Sequence, residues 1–125
     1  MKRAVNTKEA PAAVGPYSQA VREGEFLFCA GQIPLDPQTG SIVGNDIKTQ
    51  TEQVLKNVEA ILKSEGLTFA NVVKTTVFMT DLSEFPQMNE VYAKFFQTPY
   101  PARSTIQVAA LPRGAKVEIE VIAHN

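Results

Sequence analysis

Arg103, Thr105, Glu118 and Glu120 are the side chains of this sequence best suited to chemistry on a small acid. All four fall within residues 101–123, PARSTIQVAALPRGAKVEIEVIA, which alternate with the period of two expected of strands. In the first run Ser104, Ile106 and Val108 share one face, and Arg103, Thr105 and Gln107 the other. In the second run Val117, Ile119 and Val121 share one face, and Glu118, Glu120 and Ile122 the other. Leu111-Pro112-Arg113-Gly114 between them is a turn signal, and it predicts that the two runs pair antiparallel. A fixed guanidinium near carboxylates on such a hairpin can grip a small acid and position a water. The same residues also read as a surface strand pair with a cross-strand ion pair, worth only a few tenths of a kcal/mol.

The remaining inventory excludes several reaction classes. The only histidine, His124, stands next to the C-terminus, where solvent exposure is expected, so no Ser-His-Asp arrangement can be built. No His-Cys cluster has metal-ligand spacing, and no Walker or Rossmann glycine pattern is present. Cys29 is the sole cysteine, so no intrachain disulfide forms; it reads as a small buried thiol. A net charge of −1 with scattered basic residues gives nucleic acid or an anionic membrane no electrostatic footing. No apolar run reaches the ~18 residues of a membrane span. The N-terminal MKRAVNTKEAP lacks the apolar core of a signal peptide, so a cytoplasmic protein is expected.

The elements that must position these groups fit one domain of 125 residues, 44% apolar and 20% charged. Residues 1–5 suit a short strand, residues 6–16 a loop, and residues 18–21 and 26–30 two strands around Gly24-Glu25. The second of these is apolar on both faces and is expected to be central. Asp46 can cap a helix over about 47–65, with Thr49 and Glu52 offering a capping box one turn later and Gly66 ending it. Val54, Leu55, Val58, Ile61 and Leu62 form its apolar stripe. Residues 72–80 are rich in β-branched side chains, and strand, helix, strand suggests a parallel crossover. A second helix, capped by Ser83 and with Pro86 in its first turn, buries Phe85, Met88, Tyr92, Phe95 and Phe96. Asn89 lies on that stripe and needs partners, in a pocket or in the backbone of a neighbouring loop. The expected fold is α+β: a mixed sheet of about six strands with two helices on one face. The other face, with Arg103, Thr105, Glu118 and Glu120, is left to be covered by self-association.

Residues 101–123 resemble the signature of the reactive intermediate/imine deaminase (Rid, YjgF-type) family, P-A-R-S, a short strand, L-P, then V-E-I-E. Gly15-Pro16-Tyr17, Gly31-Gln32-Ile33-Pro34, Val73-Lys74-Thr75-Thr76-Val77-Phe78, and Asn89 followed by Tyr92 and Phe95-Phe96 fall in the family's order, so the resemblance spans essentially the whole chain. It implies a chorismate-mutase-like fold assembled as a homotrimer with ligand sites between subunits. It also implies cofactor-free hydrolysis of 2-imino and enamine acids, such as 2-iminobutanoate, 2-iminopropanoate and 2-aminoacrylate, to 2-keto acids and ammonia. By motif, Arg103 would hold the substrate carboxylate and Glu118 the attacking water. Tyr17, Gly31, Asn89 and Thr105 would line the pocket. Ala30 stands where family members often carry serine, and Thr105 where they often carry cysteine, which bears on substrate preference. Some family members are described as endoribonucleases and translation inhibitors. RNA cleavage is thus one alternative, and a ligand-sensing or chaperone-like protein without turnover is another.

Overall fold

The computed structural model describes residues 1–125. Six strands form one mixed sheet: β1 (Arg3–Val5), β2 (Ala20–Glu23), β3 (Phe26–Gln32), β4 (Val72–Met79), β5 (Ala102–Gln107) and β6 (Val117–His124). Their order across the sheet is β1-β2-β3-β6-β4-β5. All neighbours are antiparallel except β4 and β5. Two helices, α1 (Ile47–Ser64) and α2 (Phe85–Tyr92), pack on one face. No helix is long and apolar enough to cross a membrane.

Alternation selects the buried face. Val117, Ile119, Val121 and Ala123 of β6, with Val77 and Met79 of β4, are buried against Val54, Leu55, Val58, Ile61 and Leu62 of α1. Truncating a core residue such as Ile119 or Leu55 to alanine costs about 2–5 kcal/mol. The bounds of α1 match the sequence expectation closely. Asp46 caps it, its Oδ2 accepting the Thr49 N–H at 3.0 Å, and Gly66 follows its end at φ 72°. The second capping box does not form: Thr49 is already the third residue of the helix, and Glu52 pairs with Lys56 at 3.1 Å. Ser83 is not the cap of α2. Asp81 takes that role for the 3₁₀ turn Leu82–Glu84, accepting the Ser83 N–H at 2.9 Å, and α2 starts after it.

The antiparallel hairpin expected between residues 101–108 and 117–123 does not exist. β4 lies between β5 and β6, pairing parallel with the first and antiparallel with the second. Residues 108–116 are much longer than a tight hairpin loop, and they carry the chain past the end of β4. The buried face of β6 draws it to the middle of the sheet, while β5, with no fully buried residue, takes the edge. The register pairs Thr75 with Arg103 and Phe78 with Glu118. Thr75 is buried on the helix side, so Arg103 and Thr105 share that side; Glu118 and Glu120 lie on the open side. The open face therefore carries Glu118 and Glu120 but not the arginine or threonine. It also exposes Phe26, Phe28 and Ile106. His124 is half-buried rather than free, packed edge-on against Phe26.

Candidate active site

One cluster of candidate residues forms where β3 departs from regular pairing. Cys29 faces Val121 and Gln32 faces Ile119, so three steps on β3 oppose two on β6. This bulge places Ala30 and Gly31 beside Glu118. A Cβ built on Gly31 would overlap Glu118 Oε2, so the carboxylate lies on the glycine itself. Tyr17, Ala30, Gly31 and Glu118 line one cleft of about 790 Å³. Most of the rest of its wall comes from residues 11–14, the 36–40 turn and Pro112-Arg113.

Burial pushes the Glu118 carboxyl above its ordinary range, and the nearby Glu120 charge pushes it further. Such a group accepts a proton more readily than a free carboxylate, which suits a base beside a bound water. Tyr17 is brought to the cleft by an arm pinned through Gln19. The Gln19 amide is buried and donates to the carbonyls of Thr7, Ala10 and Pro11, while its oxygen accepts the Thr7 N–H at 2.7 Å. Gly15, at φ 149°, makes the bend just before Tyr17. The Tyr17 phenol oxygen accepts the Val14 N–H at 3.4 Å.

A second cluster lies across the sheet. The Arg103 guanidinium sits 4.7 Å from the ring centre of Tyr92 and 5.3 Å from that of Phe85, and Nη1 donates to Asn89 Oδ1 at 2.8 Å. All three partners belong to α2, one turn apart. Tyr92 is itself held by a 2.9 Å hydrogen bond between its hydroxyl and Thr75, the residue beside Arg103 on β4. Arg103 has no carboxylate partner in its own chain. Stacking and the hydrogen bond to the Asn89 amide orient the planar fork and leave its charge unpaired, an arrangement that can bind an anion such as a carboxylate. Thr105, two residues along, is on the same face.

Of the candidates read from sequence, Tyr17, Ala30, Gly31 and Glu118 converge on one cleft, and Asn89, Arg103 and Thr105 on another place. The two places do not meet within one chain. Arg103 and Glu118 face opposite sides of the sheet, two strands and three residues apart in register, or roughly 14 Å between backbones. Sequence reasoning missed the aromatic shelf. Tyr92 and Phe85 read as core, although their flanking of Asn89 on one helical stripe was the available signal. Gln19, one buried amide in a long loop, carried no signal.

A six-stranded mixed sheet with two helices on one face is the architecture of solved Rid and L-PSP proteins, among them Escherichia coli TdcF with bound serine. That structure is 47% identical with a TM-score of 0.94, covering 98% of this chain and 98% of that one. Reactive Intermediate Deaminase A, chloroplastic, of Arabidopsis thaliana is 53% identical over 122 residues, 98% of this chain and 65% of that protein. The 2-iminobutanoate/2-iminopropanoate deaminase of Mus musculus is 48% identical over 98% of this chain and 91% of that protein. The family model described as Endoribonuclease L-PSP matches residues 7–125, and the chain belongs to this family, the Rid or YjgF type.

Proposed function

We propose that this protein hydrolyses small 2-imino acids, 2-iminobutanoate and 2-iminopropanoate among them, to 2-keto acids and ammonia, at sites built from two neighbouring subunits of a homotrimer in the cytoplasm. The observation that carries the reading is Arg103: a guanidinium stacked on Tyr92 and Phe85, fixed by Asn89, and lacking any carboxylate in its own chain. The deaminase names of relatives about half identical to this chain support the reaction class.

In this reading the substrate carboxylate takes both arms of the Arg103 fork. Glu118 of the adjoining subunit accepts a proton from water as the water oxygen bonds to the imine carbon. The imine nitrogen becomes an amine on a tetrahedral carbon. From the protonated imine this gives a carbinolamine. Glu118 then returns its proton to the amine nitrogen and takes the hydroxyl proton as the carbon–nitrogen bond breaks. Ammonia leaves, the oxygen becomes the carbonyl, and Glu118 gives up that last proton to solvent. The imine carbon is electrophilic from the outset, so neither metal nor covalent nucleophile is needed. The opposed faces support assembly of the site from two chains, since one small acid cannot reach both Arg103 and Glu118 of a single chain.

The test is release of ammonia and 2-keto acid from an imine generated in the same vessel, with wild type against Arg103→Ala. Acceleration over buffer by wild type, lost in the variant, supports the reading. No acceleration by folded wild type leaves a ligand-binding role without turnover. RNA cleavage, the second reading carried by the family description, is disfavoured because the only histidine packs on Phe26 instead of lining the cleft.

A further inference from the structure

We propose that Arg113 is a positioning residue for the Glu118 cleft: a clasp that ties the tip of the 36–40 turn to the segment leading into β6. The proposal rests on the reading of that cleft as the place where substrate meets its water.

The turn is hydrogen-bonded within itself and fastened at its base. Leu35 and Ile42 pair across its neck, and Asp36 Oδ1 accepts the N–H groups of Gln38 at 2.8 Å and Thr39 at 3.2 Å. The base is fastened to α1, where the buried Asn57 donates to the carbonyls of Ile33 at 3.2 Å and Leu35 at 2.9 Å. At the tip, the side chain that reaches across from another segment is Arg113, whose Nη2 donates to the Gly40 carbonyl at 3.2 Å.

Arg113 stands on fixed ground. Ala115 is buried, the Lys116 N–H donates to Gln50 Oε1 at 2.8 Å, and the Lys116 carbonyl accepts the Thr80 N–H at 3.2 Å. Glu118 is two residues further on. Arg113 is also the one non-glycine residue in the left-handed region, at φ 61° and ψ 19°. Glycine suits that backbone better, so a long cationic side chain kept there points to work done by the side chain. Both ends of the clasp line the cleft.

Three variants separate the possibilities: Arg113→Ala, Arg113→Lys and Arg113→Gly. Each is measured by amide hydrogen exchange over residues 38–41, by melting temperature and by steady-state imine hydrolysis. Losing the clasp should speed exchange at the tip by about threefold in the Ala and Gly variants, as expected for one exposed hydrogen bond. KM should rise by about threefold or more with kcat within about twofold of wild type. Lysine can still reach the Gly40 carbonyl and should recover part of both effects. Arg113→Gly should melt no lower than wild type, because it relieves the backbone while removing the clasp. Unchanged exchange at the tip overturns the proposal, as does a fall in kcat at constant KM, which would put Arg113 in the chemistry. If wild type hydrolyses no imine, the functional reading fails, and exchange at residues 38–41 alone decides the clasp.

Discussion

Gly31 and Glu118 share a space that admits only one side chain. The carboxylate lies where a Cβ on residue 31 would be. Gly31→Ala should therefore push Glu118 out of the cleft wall and lower imine hydrolysis by at least about tenfold, or roughly 1.4 kcal/mol in the barrier. The contact is with the end of a side chain, so the fold should survive. Activity and a melting curve on the same preparation check this; a fully active Gly31→Ala would show that the placement of Glu118 does not matter.

Arg103 bears the heaviest demand for geometry. Arg103→Ala should abolish detectable hydrolysis. Arg103→Lys keeps the charge but loses both the planar fork and the stacking on Tyr92 and Phe85, and should lose at least about tenfold. Both variants should stay folded, since no carboxylate is left unpaired by the change. An inactive variant that is simply unfolded would return Arg103 to a structural role.

Glu118→Gln should reduce turnover more than Glu120→Gln, because only Glu118 lines the cleft. The raised carboxyl also has a thermodynamic sign. A carboxyl that holds its proton more readily in the folded than in the unfolded chain contributes stability below its unfolded pKa. That contribution is lost as pH rises through the folded value. Near neutrality the charged Glu118 is thus a burden, and Glu118→Gln should melt higher than wild type there and equally at acid pH. The acid limb of kcat/KM should lie above the usual carboxylate value of about 4.3. A variant less stable at neutral pH would contradict the desolvation account.

Mixing provides the sharpest test of shared sites. Arg103→Ala and Glu118→Gln are each inactive in this scheme. Unfolded together and refolded, they should regain about a quarter of wild-type activity, because three trimers in four are mixed and each mixed trimer rebuilds one of its three sites. No recovery, or a monomer by light scattering at micromolar concentration, would remove the intersubunit reading.

What was legible in the sequence was whatever a single element decides for itself. The stripe from Val54 to Leu62, the Asp46 cap and Gly66 marked out α1, and alternation told which residues of β6 are buried. Alternation cannot tell which strand lies next door. It grouped Arg103 with Thr105, and Glu118 with Glu120, correctly within each strand, then joined the two groups on one face through a hairpin that is not there. The error came from reading Leu111-Pro112-Arg113-Gly114 as a hairpin turn, when it is part of a longer passage around the end of β4. The aromatic shelf under Arg103 stayed hidden because burial and stacking ask for the same residue types.

The bulge in β3 makes chain length, more than residue chemistry, the constraint on this part of the molecule. A mutation that removed one residue at 30–31 would knit β3 and β6 into an unbroken ladder and give a more regular sheet. The same deletion would leave Gln32 opposite Ile119 on the face it already occupies but erase the recess over Glu118. Drift that tolerates many substitutions around the cleft should accordingly reject insertions and deletions at this one place. A deletion scan along residues 24–34, scored for growth rather than for folding, would show a sharp notch there.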